Sequence, residues 1–171
     1  MRKTNILTLC AVLSALSVAL MLLGSVIEVL DLCAVMLASF CTLFIFVRFG
    51  GKYAWMLYGV TAILSLLLLP NKAVALEYLL FGGYYPILRA IVAPLGRIPA
   101  FLIKLAVFNA ALTGLLLLFR YLLVAADTSL ALEITTYLLG NAAFVLYDYA
   151  LGRVSFLILH RIRPRFGAKK E

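Results

Sequence analysis

The stretch TNILTLCAVLSALSVALMLLGSVI, residues 4–27, carries no charged side chain. At about 1.5 Å per residue, an α-helix of this length spans the hydrocarbon core of a bilayer, which is roughly 30 Å thick. The preceding Met-Arg-Lys resembles the basic start of a signal peptide, but the uncharged run is long for a signal peptide and more apolar runs follow it. We therefore interpret the stretch as a retained first membrane-spanning helix.

The whole chain has the composition of an integral membrane protein. Of its 171 residues, 66% are hydrophobic and 13% are charged, and its mean hydropathy is +1.15. Soluble domains are about half apolar and a quarter charged, so this chain has too little polar surface to cover a globule in water. We predict an all-α membrane protein that forms a single domain over residues 1–171.

Apolar runs bounded by charges, glycines or prolines predict a bundle of six membrane-spanning helices. The predicted spans are 5–24, 30–47, 53–69, 75–93, 100–124 and 130–157. The sixth span is the least regular, because Gly140-Asn141 and Gly152 could divide it. Six crossings place both termini on the same side of the membrane.

The charged residues segregate between the two predicted sides of the membrane. The side of the termini holds 13 of the 15 basic residues: Arg2, Lys3, Arg48, Lys52, Arg89, Arg97, Lys104, Arg153, Arg161, Arg163, Arg165, Lys169 and Lys170. The opposite side holds Lys72 and Arg120 with the acids Glu28, Asp31, Glu77, Asp127 and Glu133. The positive-inside rule then predicts cytoplasmic termini and a multi-pass protein of a bacterial-type plasma membrane. Topology and contact with anionic lipid explain the basic tail, so we expect no nucleic-acid partner.

The sequence lacks the motifs of common catalytic and metal sites. It has no C-x-x-C, H-E-x-x-H or G-x-S-x-G motif, and the FGGK at 49–52 is only a fragment of a nucleotide-binding Walker A loop. Glu28 and Asp31 lie three residues apart, but a solvated loop is favoured there over a cation site. We expect no enzyme activity, no metal and no cofactor, so uphill transport would need a partner or an ion gradient.

Helix-breaking residues interrupt the fourth predicted span in FGGYYPILRA, residues 81–90. Gly82 and Gly83 each weaken a helix by about 1 kcal/mol relative to alanine. Pro86 removes a backbone donor and clashes with the carbonyl of Gly82 in a continuous helix. The stretch therefore predicts a kink or an unwound turn. Backbone groups freed at membrane depth require cover by protein or by a water-filled cavity.

Polar residues around this break form the candidate substrate-binding site. A broken helix with polar groups that converge near the midplane is typical of such sites. The candidates are Glu77, Tyr78, Tyr84, Tyr85, Asn109, Tyr137 and Asn141. We predict a pocket between spans four, five and six that opens to the outer face, with only one of the adjacent Tyr84 and Tyr85 facing it. The alternative is that the bend improves packing, that the tyrosines belong to an interfacial belt, and that the asparagines form interhelical hydrogen bonds.

Asp148 lies towards the cytoplasmic end of the sixth span. Ionisable residues within a membrane are rare and are usually paired. We expect Asp148 to pair with Arg89, Lys104 or Arg153 in a structural or gating ion pair.

Small residues form a stripe along the first span. Ala11, Ala15 and Ala19 recur at intervals of four, with Ser14 beside them. Such a stripe lets another helix approach closely in lipid. The sequence leaves open whether that helix belongs to this bundle or to a separate membrane subunit.

With its size, six spans, cytoplasmic termini and an A-x-x-x-A motif at Ala11 and Ala15, the chain resembles an S component, the substrate-binding membrane subunit of energy-coupling-factor (ECF) transporters. The resemblance implies that the motif faces a transmembrane coupling subunit and that two cytoplasmic ATPases supply the energy. It also implies that a vitamin or other micronutrient binds near the outer surface, although no signature of a riboflavin, thiamine, biotin or folate member is present. One alternative class is a small scaffold protein of the cell-shape or division machinery, of the MreD type, which needs no ligand pocket. The other is a membrane enzyme or ion-coupled carrier, of which the enzyme is the weakest because paired catalytic groups are lacking.

Overall fold

The computed structural model describes residues 3–27, 30–122 and 130–162, which form helices and no strand. Within these ranges the helices are α1 (Lys3–Val26), α2 (Asp31–Phe49), α3 (Gly51–Leu68), α4 (Lys72–Glu77), α5 (Tyr85–Val92), α6 (Arg97–Leu122) and α7 (Leu130–Ile162). A π-helical turn, Tyr78–Gly82, follows α4, and a 3-10 turn, Ala93–Leu95, follows α5. The structure does not describe every side chain that the charge argument uses. Those left out are Arg2, Lys3, Glu28, Arg120, Asp127, Glu133, Arg161, Arg163, Arg165, Lys169 and Lys170. Residues 123–124 of the fifth predicted span also lie outside the described residues.

Among the described residues, five helical segments are long and apolar enough to cross a membrane, which indicates a multi-pass membrane protein. They are Thr4–Val26, Asp31–Phe49, Gly51–Leu68, Lys72–Leu95 and Arg97–Leu118, close to the first five predicted spans. The sixth predicted span falls within α7, which is one continuous helix of 33 residues and is divided neither at Gly140 nor at Gly152. Helix α7 carries Asn141 and Asp148 and is not among these five segments. A sixth crossing and the cytoplasmic position of both termini therefore stay predictions.

Consecutive long helices run antiparallel. The contacts between α6 and α7 follow opposite sequence order and join Lys104 to Asp148, Asn109 to Asn141 and Thr113 to Tyr137. The tight connections at Gly50 and Gly96 both need a positive φ, 92° and 99°, which glycine adopts without strain. We call the end of the bundle with these two connections the basic end, because Arg48, Lys52 and Arg97 flank them. The opposite end, where α2 and α4 begin, is called the far end.

Small side chains let α1 pack closely on α2. Ser17 Oγ donates to the carbonyl of Leu13 at 2.8 Å and lies 3.4 Å from the carbonyl of Ala38 on α2. A Cβ atom on Gly24 would lie 2.5 Å from the Cβ of Ala34, so α1 could not approach α2 this closely with any larger residue. Close backbone approach of this kind is how helices associate in lipid.

The outer surface of the bundle is apolar. Leu23 of α1, Leu67 of α3, Leu138 and Leu146 of α7 are each more than 60% exposed. A soluble protein rarely presents such a continuous apolar surface, whereas a lipid-facing surface requires one. The exposed leucines therefore agree with the membrane assignment made from composition.

Candidate functional site

The predicted break in the fourth span is present. After α4 ends at Glu77, the chain forms the π-helical turn, in which the Gly83 N–H donates to the Tyr78 carbonyl at 2.8 Å, and α5 begins at Tyr85. Pro86 thus lies in the first turn of α5, where its missing N–H costs no hydrogen bond. The sequence argument placed Pro86 inside a helix that it would kink, whereas the structure restarts the helix at this proline.

The two glycines of the break allow close packing against neighbouring helices. A Cβ atom on Gly82 would clash with Val35 Cγ1 of α2, and a Cβ atom on Gly83 would clash with the ring of Tyr58 on α3. Tyr58 also donates its hydroxyl to the carbonyl of Leu79 at 2.8 Å. The irregular backbone is therefore covered by protein, as backbone groups at membrane depth require.

A cavity of about 500 Å³ lies beside the break, between α2, α4 with its π-helical turn, α6 and α7. Its volume falls in the range of about 300–1,000 Å³ that is typical of small-molecule sites. The lining consists of Leu32, Val35, Met36, Glu77, Leu80, Phe81, Phe108, Ala111, Leu112, Leu115, Thr136, Leu139, Gly140, Ala143 and Phe144. Leu32, Glu77 and Thr136 belong to the far end, so the cavity occupies the far half of the bundle. Among the side chains that the structure describes, the polar ones in this wall are Glu77 and Thr136.

Aromatic rings close the cavity on the side of the basic end. Phe108 and Phe144 stack with ring centroids 4.7 Å apart, and Phe81 meets Phe108 edge to face at 4.9 Å. Tyr85 and Tyr147 extend this aromatic layer, with their centroids 5.8 Å or less from the ring of Phe81. Offset and edge-to-face contacts are the favoured arrangements of such rings. The layer separates the cavity from a charged cluster nearer the basic end.

Asp148 is the centre of that charged cluster. Its Oδ2 lies 2.5 Å from Lys104 Nζ, and its Oδ1 lies 3.2 Å from Arg89 Nε. Tyr85 donates its hydroxyl to Asp148 Oδ1 at 2.7 Å. The predicted pairing with Arg89 or Lys104 is confirmed, and both cations bind the same carboxylate. Arg153 instead donates from Nε and Nη2 to the Tyr149 hydroxyl, at 2.9 and 2.7 Å.

Of the seven predicted substrate-binding residues, Glu77 is the one that lines the cavity. One of its carboxylate oxygens, Oε2, is buried without a hydrogen bond. Tyr78 is fully buried with its hydroxyl 3.3 Å from Thr42 Oγ1 of α2. Tyr84 packs edge to face on Tyr58 at 6.1 Å between ring centroids, and Tyr85 reaches Asp148. The three tyrosines of the break are thus used for packing and for internal hydrogen bonds.

The two asparagines join α6 to α7. Asn109 Nδ2 donates to Asn141 Oδ1 at 3.0 Å, and Asn141 Nδ2 donates to Asn109 Oδ1 at 3.1 Å. Their amides also bond to the backbone carbonyls of Leu105 and Tyr137, and the Tyr137 hydroxyl lies 2.7 Å from Thr113 Oγ1. This is the interhelical arrangement that the sequence left open as an alternative. Neither asparagine, nor Tyr137, lines the cavity.

Sequence reasoning missed most of the cavity wall, which is built from leucines, alanines and phenylalanines on four helices. Apolar residues in a membrane helix carry no signal of their own, because the lipid-facing residues beside them are equally apolar. Gly140 was noted only as a possible break in α7, whereas in the structure it lines the cavity and faces Leu112 and Phe108. The one sequence signal that could have identified Gly140 as a cavity residue is its small size on a helix near the break.

The alanine stripe of α1 faces away from the rest of the bundle. Ala11, Ala15 and Ala19 are all exposed, whereas α1 packs on α2 and α3 through its opposite face, which includes Ser14 and Met21. The stripe therefore does not pack against the part of the bundle that the structure describes.

In residues 3–27, 30–122 and 130–162, no three His, Cys, Asp or Glu side chains lie close enough together to coordinate a metal ion. The described lining of the candidate site is apolar and includes one carboxylate, that of Glu77. Comparison with known proteins finds no family model, no curated protein and no solved structure that matches this chain.

Proposed function

We propose that the protein binds a small molecule in the cavity of its far half and is the substrate-binding subunit of an ECF-type uptake transporter. The observation that carries this proposal is the cavity itself, about 500 Å³ between four helices and closed on one side by aromatic rings. A scaffold protein of the MreD type has no need of a cavity and would favour a fully packed core. The cavity thus favours ligand binding over the scaffold alternative.

The lining indicates what kind of molecule the cavity accepts. Within the described part of the chain its wall is apolar except for Glu77 and Thr136, and Glu77 keeps one oxygen without a hydrogen bond. A buried polar group without a partner is costly, so a ligand that donates to Glu77 is favoured over one that does not. We expect a largely apolar molecule with one positively charged or hydrogen-bond-donating group, of vitamin or micronutrient size.

The exposed alanine stripe supports docking to a transmembrane coupling subunit. Ala11, Ala15 and Ala19 lie on the free face of α1, where a partner helix can approach closely. The sequence carries no complete nucleotide-binding motif, so in this proposal two cytoplasmic ATPases supply the energy through the coupling subunit. The proposal also includes six spans and cytoplasmic termini. In that topology the cavity faces the outside of a bacterial-type plasma membrane.

Replacing Ala15 by leucine is expected to reduce co-purification of the coupling subunit and the ATPases by about tenfold. The larger side chain holds the partner helix away, so dispersion contacts along the stripe are lost. Because Ala15 is exposed, the unfolding temperature of the isolated protein stays unchanged. Affinity purification from native membranes in mild detergent, followed by protein mass spectrometry, measures the effect.

Ala110→Leu is the matched control, since Ala110 is also an exposed alanine but lies on α6. It should retain the partners at the level of the unaltered protein. Two results would count against the proposal: equal recovery of ATPases with both variants, or a set of partners that consists of cell-shape proteins without any ATPase.

A further inference from the structure

A second cavity, of about 350 Å³, lies nearer the basic end of the bundle, outside the proposed substrate site. Its wall includes Arg89, Asp148, Gly152 and Arg153. The absence of a side chain at Gly152 leaves room for the Arg89 guanidinium, because a Cβ atom there would lie 2.7 Å from Arg89 Nη2. We call this cavity the arginine pocket.

Positive charge exceeds negative charge around the arginine pocket. Asp148 is shared by Arg89 and Lys104, so one carboxylate already faces two cations. Arg153 adds a third cation, and among the described residues Asp148 is the one acid in the lining. Arg89 Nη1 is buried and has no hydrogen-bond partner in the described structure. The pocket therefore has one unused guanidinium donor and an excess of positive charge, which together favour an anion with several acceptor oxygens.

Apolar and aromatic residues beside these cations distinguish a lipid from a soluble anion. Phe101, Val145 and Tyr149 complete the lining, and they are 38%, 47% and 62% exposed. In a membrane protein these exposed side chains face the lipid, so the pocket opens towards the acyl chains as well as towards the headgroups. In the orientation of the proposed function the basic end is cytoplasmic, and basic pockets between membrane helices on that side hold anionic headgroups.

We propose that the arginine pocket binds the phosphate group of an anionic phospholipid, with Arg89 and Arg153 as its donors and the acyl chains along Phe101 and Val145. The site is independent of the substrate cavity, from which the aromatic layer separates it. An anionic phospholipid held there would neutralise the excess positive charge between α5, α6 and α7.

Native mass spectrometry in detergent, with phosphatidylglycerol and phosphatidylcholine as probes, tests this site. The unaltered protein is expected to retain phosphatidylglycerol in preference to phosphatidylcholine, whose choline group adds a positive charge to a basic pocket. Arg153→Gln should weaken phosphatidylglycerol binding about fivefold, since one cation near the membrane surface contributes this much to the binding of anionic lipid. Because Arg153 is exposed, this variant is expected to fold normally.

Arg97→Gln is the control, because Arg97 is an exposed cation at the same end of the bundle but outside the arginine pocket. It should bind phosphatidylglycerol as the unaltered protein does. An equal loss in Arg97→Gln, or no loss in Arg153→Gln, would overturn the proposal. Displacement of phosphatidylglycerol by millimolar inorganic phosphate would also overturn it, because the pocket would then select a free anion.

Discussion

Replacing Asp148 by leucine is expected to lower the unfolding temperature of the protein by about 10 °C, the largest effect among the substitutions considered. Removal of one partner from a buried ion pair costs about 3–5 kcal/mol, because the remaining charge stays buried without compensation. Here one substitution leaves two cations, the buried Lys104 and the partly buried Arg89, and it also removes the acceptor of the Tyr85 hydroxyl. Thermal unfolding in detergent, followed by circular dichroism, measures the loss.

A second substitution separates the charge effect from loss of packing. Lys104 is only 8% exposed, so Lys104→Met in the Asp148→Leu background removes one of the two uncompensated cations and should recover part of the stability. The double variant is therefore expected to be more stable than Asp148→Leu alone. An Asp148→Leu protein that unfolds at the temperature of the unaltered protein would show that the cluster contributes nothing to stability.

Gly82→Ala is expected to destabilise the protein by about 1–3 kcal/mol, the cost of overpacking a well-packed interior. The added methyl group would clash with Val35 Cγ1, and the π-helical turn would have to move away from α2. Val35 is 2% exposed and β-branched, so it has little freedom to move aside. Unfolding in increasing concentrations of a denaturing detergent is a suitable measurement.

Two other glycines provide the matched control for this effect. A Cβ atom on Gly59 or Gly114 would meet nothing within 4 Å, so alanine there should leave stability unchanged or raise it through its higher helix propensity. Val35→Ala should offset part of the cost of Gly82→Ala, which a double-mutant cycle would reveal as a coupling energy. If Gly82→Ala behaves as Gly59→Ala does, the close packing of the break on α2 is not a source of stability.

The helical and membrane character of the chain could be predicted from the sequence because it depends on local properties. Residues 4–27 are uncharged and long enough to span a bilayer, and Gly82, Gly83 and Pro86 indicate the break through their low helix propensity. The ion pairs of Asp148 were predictable for a related reason, since a carboxylate at membrane depth needs a cation and few are available.

The sequence predicts a pocket beside the fourth span, but not the residues of its wall, because the wall depends on the relative placement of four helices. We take polar residues as indicators of the cavity wall, but the amides of Asn109 and Asn141 form hydrogen bonds with each other and with backbone carbonyls. Gly140 and Gly152 likewise suggested breaks in α7, whereas each allows a close approach, to Leu112 and to Arg89. A single sequence does not distinguish a glycine that ends a helix from one that accommodates a neighbour.

The central claim is that the cavity of the far half binds a small molecule, and small-molecule mass spectrometry of the purified protein tests it most directly. Ala143 lines the cavity and Ala142 beside it is exposed, so Ala143→Trp fills the cavity while Ala142→Trp adds the same side chain outside it. Unaltered protein and Ala142→Trp, purified in mild detergent, are expected to release the same compound in near-equimolar amount, and Ala143→Trp at least tenfold less. Equal release from all three proteins, or release of nothing but detergent and phospholipid from the unaltered protein, would contradict the account.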